Sequence, residues 1–292
     1  MMIPTRSEPA LPRRLAGALV VAAVLIAGAS SLARAQQPIM LRIQPHVGDT
    51  MYTRFEQSVE MIGTRNVHLV DTTMTSRMDI VILSHSLVQS SDGHGTTILA
   101  VTDSVAMEGH GTGAAAPTET LRRAMQGRQA QLHIARDGSA ELLGASDNVT
   151  PEVEALYSGM PATLPERLVS VHSTWERTAF IPVSLESDSA HSARVRTTYR
   201  LDSLSSNGQL AYISIHGTIS RDSAAALVSE SLRVGSTGTV TGRMTMDRKH
   251  GWWIESHIAI EIKSMVTRII EPVSTMQVQT HIVQSMQTRI AP

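Results

Sequence analysis

The 292-residue chain has a formal charge of −1, no cysteine, and few aromatics: three Trp, four Tyr and two Phe. That composition excludes disulfides, a thiol nucleophile, Cys-ligated zinc and iron–sulfur clusters. It also argues against the basic footprint of a nucleic-acid binder, the aromatic platforms of a carbohydrate module, and the aromatic girdles of an outer-membrane barrel.

Residues 1–35 read as a cleavable export signal. Arg6, Arg13 and Arg14 stand against one acid, Glu8; an uncharged run from Leu15 to Leu32 follows, and Ala33-Arg34-Ala35 supplies the small-x-small cut. The apolar run is about 18 residues, near the lower limit for crossing a bilayer. It is rich in Ala and Gly, so cleavage is expected rather than retention as an anchor. Arg13-Arg14 resembles a twin-arginine signal without the rest of that motif, which points to the general secretory route. A lipid anchor would need a Cys at the cut. The expected product is a soluble periplasmic or secreted protein that begins near Gln36, is not a lipoprotein and does not span the membrane. Its 25 cations lose Arg6, Arg13, Arg14 and Arg34 and its 26 acids lose Glu8, which takes the formal charge from −1 to −4.

The dominant period of the rest is two, the signature of half-buried strands. Met51, Phe55, Val59 and Met61 alternate with Tyr52, Arg54, Glu56 and Glu60. Met78, Ile80 and Ile82 follow, then the turn Ser91-Asp92-Gly93, with Ile98 and Ala100 beyond it. Gly109 to Gly113 reads as a loop. Thr118 to Gln126 is a weak helix with Gly127 as its stop. Leu132 and Ile134 lead into the turn at Asp137-Gly138, a pair that tolerates positive φ. Thr150 to Ser158 is the better helix, with Thr150 as cap, Pro151 in the first turn and Gly159 as stop. Residues 223–232 fit helix or strand equally. Val240, Met244 and Met246 begin a long hairpin around Asp247–Gly251, which resumes at Trp252, Ile254, Ile258, Ile260 and Ile262. Met276, Val278 and Ile282 suggest a last strand.

Three landmarks occur twice in the same order. Val47–Tyr52 resembles Val171–Glu176, Ser90–Gly93 resembles Ser205–Gly208, and the Asp137-Gly138 hairpin resembles that at Asp247–Gly251. The expected architecture is all-β and mainly antiparallel, with few short helices. It is a large curved sheet, or two similar half-barrels from an internal duplication. Its parts are the signal at 1–35, a first β repeat at 36–148, a helical linker at 149–166 and a second β repeat at 167–292.

No catalytic motif emerges: there is no G-x-S-x-G, H-E-x-x-H, phosphate-binding loop or S-x-x-K. The 12 histidines include no i, i+2 pair that would set two rings on one strand face. Catalytic residues, cofactors and metal ligands are therefore all read as none. The ligand-lining candidates are Met244, Met246, Trp252, Ile254, Ile258 and Ile260, the apolar side of the long hairpin.

The strands at Val47–Tyr52 ("V-G-D-x-x-Y"), Val171–Trp175 ("V-x-x-T-W") and Asp247–Ile254 together resemble a group of exported bacterial proteins of unknown function. The arrangement is also similar to the lipoprotein-carrier (LolA-like) half-barrels, in which an open antiparallel sheet wraps an apolar cavity. That resemblance implies a non-catalytic binder of an apolar ligand such as a lipid. The alternative is a structural or protein-interaction module of the cell envelope, with another envelope protein as partner. A hydrolase ranks third.

Overall fold

A computed structural model describes residues 38–67, 70–111, 119–145, 163–182, 192–221, 227–229, 232–269 and 274–291. Expectations for the export signal, for the Thr150 helix and for most of the linker fall outside these residues. Two compact units divide the chain, Met1–Ile39 and Met40–Pro292, and the second holds the strands.

These are β1 (Thr50–Val67), β2 (Val70–Ser91), β3 (Gly95–Gly111), β4 (Gln129–Ala135) and β5 (Ala140–Ala145) in the first half. In the second half they are β6 (Thr174–Pro182), β7 (Ser192–Leu204), β8 (Leu210–Arg221), β9 (Leu227–Ser229), β10 (Leu232–Asp247), β11 (Trp252–Arg268) and β12 (Ser274–Ala291). A short helix, α1 (Glu119–Met125), joins β3 to β4. The weak helical signal was correct, with Arg122 and Arg123 both bonded to Glu119 one turn back. Gly109 to Gly111 of the expected loop are strand instead: β3 runs on through Gly111 because its backbone pairs with Ser76 to Met78 of β2, and Thr112 and Gly113 lie outside the described residues.

All these strands form one antiparallel sheet, ordered β5-β4-β3-β2-β1-β12-β11-β10-β8-β7-β6, with β9 beside β10. Apart from the small β9, each strand pairs with a neighbour in the chain, and β1 pairs with β12. The sheet is thus a meander whose first and last strands meet. Its open seam lies between β5 and β6, so it does not close into a barrel.

Its curvature follows from a strap, residues 40–46. Ile43 N–H donates to the Arg136 carbonyl in the β4–β5 turn at 2.9 Å, and Gln44 N–H donates to the Gly251 carbonyl in the β10–β11 turn at 3.0 Å. On a flat sheet those turns would lie roughly 25 Å apart, at about 4.8 Å per strand. Consecutive residues are about 3.8 Å apart, so the sheet must curl until both turns meet the strap. The seam is drawn together at the same end. The Asp137 carbonyl accepts from the N–H groups of Thr163 and Leu164 at 2.9 and 2.8 Å, and Trp175 of β6 donates through Nε1 to the Thr163 carbonyl at 2.8 Å.

The core fills this end. Leu41 and Ile43 of the strap, Met51, Leu164, Leu201 and Met246 are almost fully enclosed. Trp175 stacks on Tyr199 with ring centroids 5.7 Å apart.

The turns that open β1 and β6 bond alike. Gly48 N–H and His172 N–H each donate to the strand across, at Val88 and Leu201, and both residues have positive φ (93° and 72°). In each turn a side-chain oxygen three residues on, from Asp49 or Ser173, accepts the N–H of the first residue, His46 or Ser170. These two turns are the first landmarks that the sequence repeats.

Candidate functional site

Strand lengths differ around the sheet. β1, β2, β3, β10, β11 and β12 have 16 to 22 residues, whereas β4, β5 and β6 have 7, 6 and 9. At about 3.3 Å per residue the long strands form a wall roughly 30 Å taller than the seam side.

Register assigns the faces of that wall. Met51, Met246 and the strap core define the inner side. Two inner rows cross neighbouring strands from β2 to β10 as Ile82–Phe55–Met286–Ser256–Met244 and Met78–Val59–Ile282–Ile260–Val240; between them lies Ile80–Gln57–Gln284–Ile258–Gly242, in which the Gln284 amide donates to Gln57 Oε1 at 3.1 Å. Val240 and Met244 are buried, but Phe55, Val59, Ile260 and Ile282 are half-buried. Farther out Met61 is 44% exposed and Met74 47%. The opposite face of the same strands is polar, as in the row Arg77–Glu60–His281–Glu261–Thr239. The wall therefore has a wet outer face and an apolar inner face that only partly meets other protein.

Gly242 shows how tightly β10 and β11 approach here. A Cβ on it would lie 2.5 Å from the His257 carbonyl oxygen, so the residue permits a close approach that any side chain would block.

The six ligand-lining candidates do not share one environment. Met244 and Met246 are core residues of the closed end, the latter 1% exposed. Ile258 and Ile260 are half-buried on the inner face of the wall. The tryptophans depart from the expected alternation. A register shift after Thr245 sets Trp253, not Trp252, opposite Met246, and Trp252 opposite Asp247. Ile254 is the residue left over at that bulge, and it edges a hollow on the outer face. A bulge of one residue reverses a period-two pattern, and the sequence carries no mark of it.

That outer hollow, about 960 Å³, is lined by Tyr52, Arg54, Leu83, Asp103, Glu255 and Arg289 among others. Beside it His85 Nδ1 lies 2.7 Å from Asp103 Oδ1, with side-chain exposures of 36% and 43%. In that much solvent the pair contributes little and has no buried general-base character. A second hollow of about 630 Å³ lies along the strap, between Arg42, Gln44, Arg248 and Lys249. Next to it Asp247 holds its turn. Burial alone would raise its carboxyl pKa, but hydrogen bonds from the His250 ring and from the His250 and Lys249 N–H groups outweigh that and hold it below the usual range. Among the described residues no three His, Cys, Asp or Glu side chains come together as a metal site.

The signal that sequence reading missed is Arg221, at the end of β8. Its side chain is 8% exposed and faces inward, continuing the row of Ile213, Ile215 and Ile219.

Residues 152–253, less than half of the chain, match a family of unknown function (DUF6263). The match takes in β6 to β10 and the Asp247–Gly251 turn. No curated protein matches. Among solved structures, an outer membrane channel from Pseudomonas putida F1 is 9% identical over 87% of this chain and 99% of that one, with a TM-score of 0.24. The outer membrane protein AlkL is 10% identical over 84% and 92%, with a TM-score of 0.16. OccK7 (OpdD) of Pseudomonas aeruginosa is 10% identical over 82% and 99%, with a TM-score of 0.19. Scores of this size do not establish a shared fold. Among the described residues no helix is long and apolar enough to cross a membrane.

Proposed function

We propose that this protein is an exported, non-catalytic carrier that holds an apolar ligand such as a lipid against the inner face of its tall wall. One observation carries the reading. Half-buried Val59, Ile282 and Ile260 run side by side across β1, β12 and β11, with Met61 and Met74 more exposed beyond them. Leaving a largely apolar surface uncovered is costly in water, so large patches of this kind mark binding faces. The methionines suit a ligand of variable shape, because the unbranched thioether repacks easily. The polar outer face keeps the protein in solution.

Native mass spectrometry and lipid extraction of protein purified from the envelope test this. A co-purifying lipid and tight binding of a hydrophobic dye are expected. Protein that is empty and binds no dye would overturn the carrier reading. The second reading, a docking module for an envelope protein, draws on the exposed Tyr52, Leu83 and Leu87 of the outer face. Co-purification of a partner lost on replacing Tyr52 and Leu83 would favour it instead.

A further inference from the structure

Arg221 is a buried cation with nothing to neutralise it among the described residues. Its Nε, Nη1 and Nη2 all lack a hydrogen-bond partner. The other arginines with a buried Nε are tied elsewhere: Arg136 to the Asp92 carbonyl, Arg177 to the Leu164 carbonyl and Arg248 to the Gly208 carbonyl. Burial pulls the Arg221 guanidinium below its ordinary pKa. A buried guanidinium left bare on every nitrogen is costly, and native proteins retain such groups where a ligand completes them.

Its surroundings say which ligand. Arg221 pairs with Ser236 of β10, Ser236 pairs with Ser264 of β11, and Ser264 pairs with Val278 of β12. The two serine hydroxyls are 2.9 Å apart. Arg221, Ser236, Ser264 and Val278 border a hollow of about 390 Å³, with Lys263 on its rim. The next row toward the closed end is apolar, with Ile219 and Ile262 on either side of Gly238. Inner-face positions of β1, β8, β10, β11 and β12 include no Asp or Glu among the described residues. A cation and two hydroxyls thus stand at the edge of an apolar face that contains no carboxylate.

We infer that Arg221, with Ser236 and Ser264, receives the anionic head of a single-chain amphiphile whose hydrocarbon tail lies along Ile262 and the Ile260–Ile282 row. The inference rests on the carrier reading and deepens it. A guanidinium fork matches a carboxylate with two parallel hydrogen bonds, and the low dielectric beside the apolar rows strengthens them.

The test is displacement of a hydrophobic dye from the full-length purified protein by oleate and by oleyl alcohol, which share a tail and differ in the head. Oleate is expected to bind about 10- to 100-fold tighter, the range of a hydrogen bond to a charged group. Arg221→Met should bring the two within about threefold, chiefly by weakening oleate, and it should melt no lower than the parent because it removes an uncompensated buried charge. Replacing Ser236 and Ser264 together by Ala leaves the cation in place and should reduce the preference severalfold, a second probe should Arg221→Met not fold. Sodium acetate alone should leave the dye in place, as the tail supplies most of the binding. Equal affinity of the parent for oleate and oleyl alcohol would overturn the anionic head site while the carrier reading stood. Failure of both to bind would overturn the carrier reading itself.

Discussion

The closed end and the tall wall are made of the same strands, yet they differ in what covers their apolar side. At the closed end the strap and residues 163–169 insert Leu41, Ile43, Leu164 and Val169 between the strands, and side chains there fall to a few per cent exposure. Along the wall the same alternation continues through Val59, Ile260 and Ile282 with no such insert among the described residues, and the side chains stay half-buried. Alternation specifies a face. Whether that face becomes core or binding surface depends on a second layer.

Substitutions can break or sharpen this contrast. The largest effect is expected from Ile213→Ala at the closed end, where a fully enclosed side chain leaves a cavity: about 2–5 kcal/mol in chemical denaturation, with dye binding unchanged. Ile260→Ala on the wall should cost only about 1 kcal/mol yet weaken dye binding, and the reverse pattern would erase the distinction. Gly251→Ala comes next. Gly251 has φ +58°, and a Cβ there would lie 2.6 Å from the Gln44 amide nitrogen. Displacing the strap should cost about 2 kcal/mol and quicken proteolysis near residue 44. Trp175→Phe keeps the stack on Tyr199 but leaves the Thr163 carbonyl without its indole donor. About 1 kcal/mol should be lost by thermal unfolding.

The smallest effect is a pH dependence. The Asp247 carboxyl is depressed in the folded chain, so its contribution is fully present above its unfolded value near 3.8 and is lost as pH falls through the folded one. Asp247→Asn should therefore be less stable than the parent at neutral pH, and the gap should narrow as pH drops toward 3. A gap that stays the same on acidification would show that the hydrogen bonds do not depend on the charge.

Much of the fold was legible because period two and turn chemistry are local. The turns at Asp92-Gly93, Asp137-Gly138, Asn207-Gly208 and Asp247–Gly251 all lie where the residue types place them. The short helix was readable from its stop at Gly127, which has φ +73°. Two features were not legible, for different reasons. The bulge at Thr245/Met246 leaves no compositional trace, so the Trp252-Trp253 faces came out reversed. Arg221 reads in sequence as one more solvated charge at a strand end, since nothing local tells that its side chain is enclosed and unpaired.

The sequence by itself determined an all-β, mainly antiparallel architecture, most of its turn positions, and which side of most long strands is apolar, because these follow from alternation and from residues that accept positive φ. Only the tertiary structure decided that β1 meets β12, that the strap draws distant turns together, and that Arg221 is left buried beside two serines. Those outcomes depend on contacts between residues far apart in the chain, whose free energy no local pattern encodes.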